Sequence, residues 1–155
     1  PRSVLVRVDF SAPSLRALAQ ARQLVSPGGR IHLLHVHLRK LSDPDWTDHA
    51  GVLPEPPAEH QEVLRRLQVL VPPDDTAVRW SVEGVSAREV ALAICQAAER
   101  EGVDLVCMGE REGHGGRPAD VTRELLARCH RPVLVVPSPA EEREPRGWGS
   151  VDLQP

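Results

Sequence analysis

Lysine is almost missing from this chain: Lys40 is the only one in 155 residues, and arginine carries nearly all of the positive charge. Any mechanism that needs a catalytic or phosphate-binding lysine therefore has a single candidate, and it sits in a segment that reads as loop. Tyrosine is absent and the other aromatics are few, three Trp and one Phe. The core must then be built from Val, Leu, Ile and Ala, which suits a parallel sheet covered by helices better than a β-sandwich. The three cysteines, Cys95, Cys107 and Cys129, form no C-x-x-C pair. They fall in apolar patterns and read as buried free thiols of a reducing compartment. The net charge of −3 is mixed along the chain with no basic block, so no nucleic-acid partner is expected. No apolar run reaches the ~18 residues of a membrane span and no signal peptide is recognisable, so the expected setting is cytoplasmic, without a membrane partner.

What is present is an alternation of short apolar runs and amphipathic stretches. Residues 3–8 (SVLVRV) read as a strand. Ser11 then suits an N-cap and Pro13 a first helical turn, with Leu15, Leu18, Ala21 and Val25 recurring at helical spacing. Pro27-Gly28-Gly29 stops that helix, and residues 31–38 (IHLLHVHL) form a second strand. A proline-rich connection over 39–57 follows, then a helix on Val63, Leu64, Leu67, Leu70 and Val71. Residues 77–82 give a third strand, Gly84 a turn, and Ser86 to Glu89 a capping box for the next helix. Gly102 is placed to end that helix in the left-handed conformation. Residues 103–108 read as a fourth strand, and 109–118 as a glycine-rich loop. Val121, Leu125, Leu126 and Cys129 mark a short helix, and residues 132–136 a fifth strand. The domain is expected to span 1–137, with 138–155 a Pro/Glu-rich tail.

Strands alternating with helices call for right-handed crossovers onto one doubly wound parallel sheet with helices on both faces. In such sheets ligands bind where the winding reverses, beyond the carboxyl ends of the strands. If the first strand is central, Asp9 and Gly109 flank that reversal, with Val36 and His37 near the same edge. Asp9 could accept hydrogen bonds from a ribose hydroxyl or base amino group, or serve as an ordinary loop cap. Gly109 could admit a ligand to the backbone, or be a turn residue. The amides near Asp120 and Val121 suit an anion.

Four segments carry a family resemblance: VLVRVDFS at 4–11, IHLLHVH at 31–37, VEGVSAREVALAICQAAEREGVDLVCMGER at 82–111 and RPVLVVP at 131–137. In these the chain resembles the universal stress proteins. The resemblance implies strand order 3-2-1-4-5 and a regulatory, non-enzymatic module that acts in stress responses through an unidentified protein partner. It also implies a homodimer through the last strand, around Val133 and Val135. ATP or another adenine nucleotide is the implied cofactor class. Asp9 and Val36 would meet the nucleoside, and a Gly-x2-Gly-x9-Gly-Ser/Thr motif the phosphates. Here that motif keeps Gly109 but has Glu112 for its second glycine, with Gly113 beside it, and Ala119-Asp120 for its Gly-Ser/Thr pair. Ala119 adds a Cβ where phosphate would approach, and Asp120 brings a carboxylate that can cap the helix and occupy the anion-binding amides. The expectation is weak or no ATP binding. The alternative is a true ATP-binding member in which Mg²⁺, Arg111 or Arg117 offsets Asp120.

Other constellations carry less. His35 and His37 share one strand face, with His114 and Asp9 in range, but no metal site is assigned to them. Gly113-His114-Gly115-Gly116 lacks the Lys-Ser/Thr of a P-loop. Ser11 has no histidine base in the pattern and is better used as an N-cap.

Overall fold

The computed structural model describes residues 1–39, 57–110 and 120–137. Lys40, the glycine-rich run with Arg111, Glu112, Gly113, His114, Arg117 and Ala119, and the tail from 138 lie outside the described residues. Nine elements alternate: β1 (Ser3–Arg7), α1 (Ala12–Leu24), β2 (Arg30–Leu38), α2 (Pro57–Leu70), β3 (Arg79–Ala87), α3 (Val90–Glu101), β4 (Leu105–Gly109), α4 (Asp120–Arg128) and β5 (Val133–Val136). The strands form one parallel sheet in the order β3-β2-β1-β4-β5.

Side-chain alternation along the strands divides the core in two. Val4, Val6, Val8, Ile31, Leu33 and Cys107 pack on one face against Leu18 and Ala21 of α1 and Leu67 of α2. Leu5, Leu34, Val36, Val85, Val106 and Met108 pack on the other against Ile94, Ala97 and Ala98 of α3 and Leu125 of α4. The winding therefore reverses between β1 and β4, because α1 and α2 cover one face while α3 and α4 cover the other. The central strands are buried on both sides, which explains their unbroken Val/Leu runs.

α1 begins where Ser11, in extended conformation, accepts a hydrogen bond from the Ser14 amide at 3.4 Å. Its buried stripe is Ser14, Ala17, Leu18 and Ala21, small residues that let the helix lie close to the sheet. Leu15, expected on that stripe, is one position off it and 40% exposed. Leu126 of α4 is likewise exposed, and Leu125 with Thr122 forms the buried face. Gly102 ends α3 at φ 59°, as its position suggested.

The third strand corrects the sequence reading. It continues past Val82 to Ala87, with Gly84 paired to His35 inside the ladder instead of turning the chain. Ser86 is a buried strand residue, and no capping box forms: the N-cap of α3 is Glu89, which makes no side-chain cap. The physical reason is the length of β2. Its nine residues template β3 through Leu38, and burial of Val85 and Ala87 accompanies every added ladder bond. That outweighs the ~1 kcal/mol a cap offers. The Glu89 carboxylate instead pairs with Arg128 of α4 at 2.9 Å.

Among the described residues no helix is long and apolar enough to cross a membrane. Cys95, Cys107 and Cys129 are free thiols, with Cys107 fully buried and the other two half-buried.

Candidate functional site

The crevice forms where β1 stops short of its neighbours. β1 last pairs with β2 at Leu34, yet β2 continues to Leu38 alongside β3. On the other side, β1 last pairs with β4 at Cys107, while β4 continues to Gly109 alongside β5. Asp9 stands in this gap at the point of winding reversal.

Asp9 is held by its own turn. Its Oδ1 accepts from the Ser11 amide at 3.0 Å and from the Ser11 hydroxyl, and its Oδ2 lies 3.2 Å from Arg7 Nη1. Burial resists ionisation of this carboxyl. The Ser11 side chain and amide, with Arg7 and Ser14, outweigh it and hold the pKa below the usual carboxylate range. Asp9 therefore does what a loop cap does, and in doing so keeps a fixed negative charge at the head of the crevice. The turn is strained: Phe10 sits at φ 62°, the left-handed region that non-glycine residues rarely enter. Arg66 of α2 lies 3.8 Å above the Phe10 ring, and His35 packs beside it at 5.2 Å between centroids. His35 Nδ1 is 2.8 Å from the Val8 carbonyl, which ties β2 to the end of β1.

Val36 is at the crevice in its backbone, not its side chain. The side chain is buried against α3. Backbone groups of alternate strand residues point the same way, and the Leu34 carbonyl accepts from Val8 on the β1 side. Two residues on, Val36 presents its amide and carbonyl to that side, beyond the end of β1.

The glycine at 109 has a structural explanation. A Cβ there would lie 2.2 Å from the Pro13 carbonyl carbon, 2.4 Å from its oxygen and 2.5 Å from the Ser14 amide nitrogen. The room left by the missing side chain is filled by the first turn of α1. Asp120 is the first residue of α4, and its largely exposed carboxylate pairs with Arg123 one turn on. His37 is exposed and His35 bonds to backbone, so the two do not converge as ligands. Gly113 and Ala119, the remaining candidates, fall outside the described residues.

Arg7, Phe10 and Arg66 line or brace this edge and were not singled out from sequence, whereas His35 was weighed there only as a metal ligand. Phe10 was the one with a signal, as the only Phe, placed directly after Asp9. Arg66 had none, because α2 reaches the site only through the crossover.

Solved structures share this architecture. The hypothetical protein MJ0577 superposes with a TM-score of 0.67 at 19% identity, covering 89% of this chain and 96% of that one. A universal stress protein family protein from Arabidopsis thaliana, At3g01520, solved with AMP bound, gives 0.62 at 18%, covering 94% and 98%. A universal stress protein in complex with cAMP gives 0.59 at 18%, covering 89% and 98%. At these identities the likeness establishes the fold. No curated protein matches by sequence. The sequence profile of the Universal stress protein family matches residues 1–137, so the five-stranded sheet and its crevice are those of that family, and the chain belongs to it.

Proposed function

We propose that this protein is a non-enzymatic regulatory module whose crevice takes an adenine nucleotide of low charge, AMP-like rather than ATP. The nucleoside end supports this reading. Val36 offers a backbone donor and acceptor to a base edge, and the Asp9 turn supplies a fixed carboxylate beside it. Two relatives of the same fold were solved with AMP and with cAMP. The phosphate end is where this chain departs from its family. The observation that carries the proposal is Asp120 at the first position of α4, where a helix N-terminus would otherwise favour an anion. Two like charges ~4 Å apart repel by about 1 kcal/mol in water and about 4 kcal/mol at an effective dielectric of ~20. Each further phosphate charge adds to that.

A second reading has an observation of its own. Arg123 pairs with Asp120 and offsets part of its charge, which would let a magnesium-bound triphosphate approach. Calorimetry with AMP and with Mg-ATP, on the wild type and on Asp120→Ser, separates the two. Expected are AMP binding, Mg-ATP weaker than micromolar, and a gain of about tenfold for ATP in D120S, equivalent to ~1.4 kcal/mol. Micromolar or tighter Mg-ATP binding by the wild type would overturn the low-charge reading. A phosphate-release assay with ATP tests the non-enzymatic part.

The same reading includes a homodimer through β5 and a protein partner reached from it. β5 is the sheet edge, and exposed apolar edges invite pairing. Carbonyls of Pro132 and Val136 face β4, where they accept from Val106 and Glu110. By alternation, Val133 and Val135 turn their amides to the free edge.

A further inference from the structure

At the opposite edge of the sheet from the crevice, near the amino ends of the strands, lies a polar cluster that the nucleotide reading does not use. We propose that His32, Glu83 and Glu101 form a binding site for a divalent transition-metal ion of the zinc class.

The cluster follows from strand register. His32 of β2 pairs with Ser81 of β3, and Glu83 lies two residues on along β3. All three point to the face shared by Leu34, Val36, Val85 and Ala87, which α3 covers. A polar side chain at an inward position of a parallel strand is costly unless it is satisfied. His32 is 4% exposed and both ring nitrogens are engaged. Nδ1 is 2.7 Å from Ser81 Oγ, and Nε2 is 2.8 Å from Glu83 Oε2. The last turn of α3 adds Glu101. One ligand atom from each of His32, Glu83 and Glu101 lies within 4.8 Å of the other two.

This is a set of donors a zinc-class ion accepts. Nitrogen and oxygen ligands at ~2.0–2.2 Å in a tetrahedral array stand about 3.4 Å apart, so small side-chain rotations close the cluster around an ion. Ser81 supplies the second element such sites need. As the ring stands, Nε2–H donates to the Glu83 carboxylate; binding an ion shifts the imidazole proton to Nδ1, which then donates to Ser81 Oγ and holds the ring with its Nε2 lone pair on the metal. Three protein ligands leave a fourth position for water or an incoming donor.

Two arginines compete with the ion and set the expected affinity. Arg100 bonds Glu83 and approaches Glu101 at 3.5 Å, and Arg30 holds Glu101 at 3.4 Å while also bonding Ser3. Arg100 is half exposed and free to swing into solvent, whereas Arg30 is packed at the strand ends. Removing Arg100 should therefore strengthen metal binding, the reverse of what a pure ion-pair network predicts.

The test uses zinc titrated into the full chain by competition with a chromophoric chelator. Variants are Glu101→Gln, Arg100→Gln and, as a control for stray imidazole binding, His37→Ala. Both cluster variants lie at the partly exposed rim, and circular dichroism verifies that they fold. Expected is one zinc per chain, weakened by at least about tenfold in E101Q, tightened by about tenfold in R100Q and unchanged in H37A. If E101Q does not fold, the R100Q result decides. Absence of zinc binding below ~100 µM, or an affinity that neither E101Q nor R100Q moves, overturns the proposal.

Discussion

Replacing Gly109 by alanine tests whether this glycine serves helix packing or ligand access. The added Cβ would meet the Pro13 carbonyl carbon at 2.2 Å, and ordinary contact starts at 3.4 Å, so the two backbones must separate by about 1.2 Å. Neither side can yield by changing a rotamer, because Pro13 C, Pro13 O and Ser14 N are all main-chain atoms. α1 cannot slide away cheaply either. Its first turn is fixed by the Ser11 cap and the Asp9 bonds, and its Ala17, Leu18 and Ala21 are seated against β1 and β4. Overpacking a well-filled core costs about 1–3 kcal/mol, and a backbone-on-backbone clash belongs at the upper end, near 3 kcal/mol. For a domain of this size that is a fall of about 6–12 °C in the melting midpoint. Urea unfolding of G109A and wild type, without any ligand, measures it directly through the shift in midpoint at constant slope. A loss below ~0.5 kcal/mol would refute the packing argument, since surface changes away from such features stay within that range. If that small loss came with abolished nucleotide binding, the glycine would be serving the ligand instead.

Two further outcomes follow from the same geometry. The Asp9 carboxyl titrates lower in the folded chain than in the unfolded one, so its contribution is complete above roughly pH 5 and is lost as pH falls through the ordinary carboxylate value towards the depressed one. Asp9→Asn should therefore show a smaller drop in urea midpoint between pH 7 and pH 4 than the wild type, and an identical drop would remove Asp9 from the acid response. At the sheet edge, Val135→Pro deletes an outward amide while sparing the carbonyls that bind β4, a substitution edge strands tolerate. Light scattering should report a monomer for this variant if β5 pairs with a second copy, and an unchanged dimer mass would exclude strand pairing.

The sequence by itself determined the layer architecture. Val4 to Val6, Leu33 to Leu34 and Val106 to Met108 are apolar on consecutive positions, as strands buried on both faces require, and that places helices on both sides. Ser11, Gly102 and the proline stops are local devices, so their roles were legible from a few neighbouring residues. Asp9 was placed at the winding reversal only on the condition that the first strand is central, and the observed strand order meets that condition. The extent of β3 was not legible. Gly84 and Ser86 have turn and cap chemistry, and only the presence of β2 alongside them makes a longer ladder the better state. Gly109 shows the same limit, since its reason is the backbone of Pro13, 96 residues earlier in the chain. The cluster of His32, Glu83 and Glu101 is a product of register and helix placement. Its members are separated by whole elements, and no spacing in the sequence marks them as neighbours. Local chemistry settles which residues can cap, turn or pack; long-range pairing decides which of those options is used, because burial and ladder bonds outweigh the single hydrogen bonds that local motifs offer.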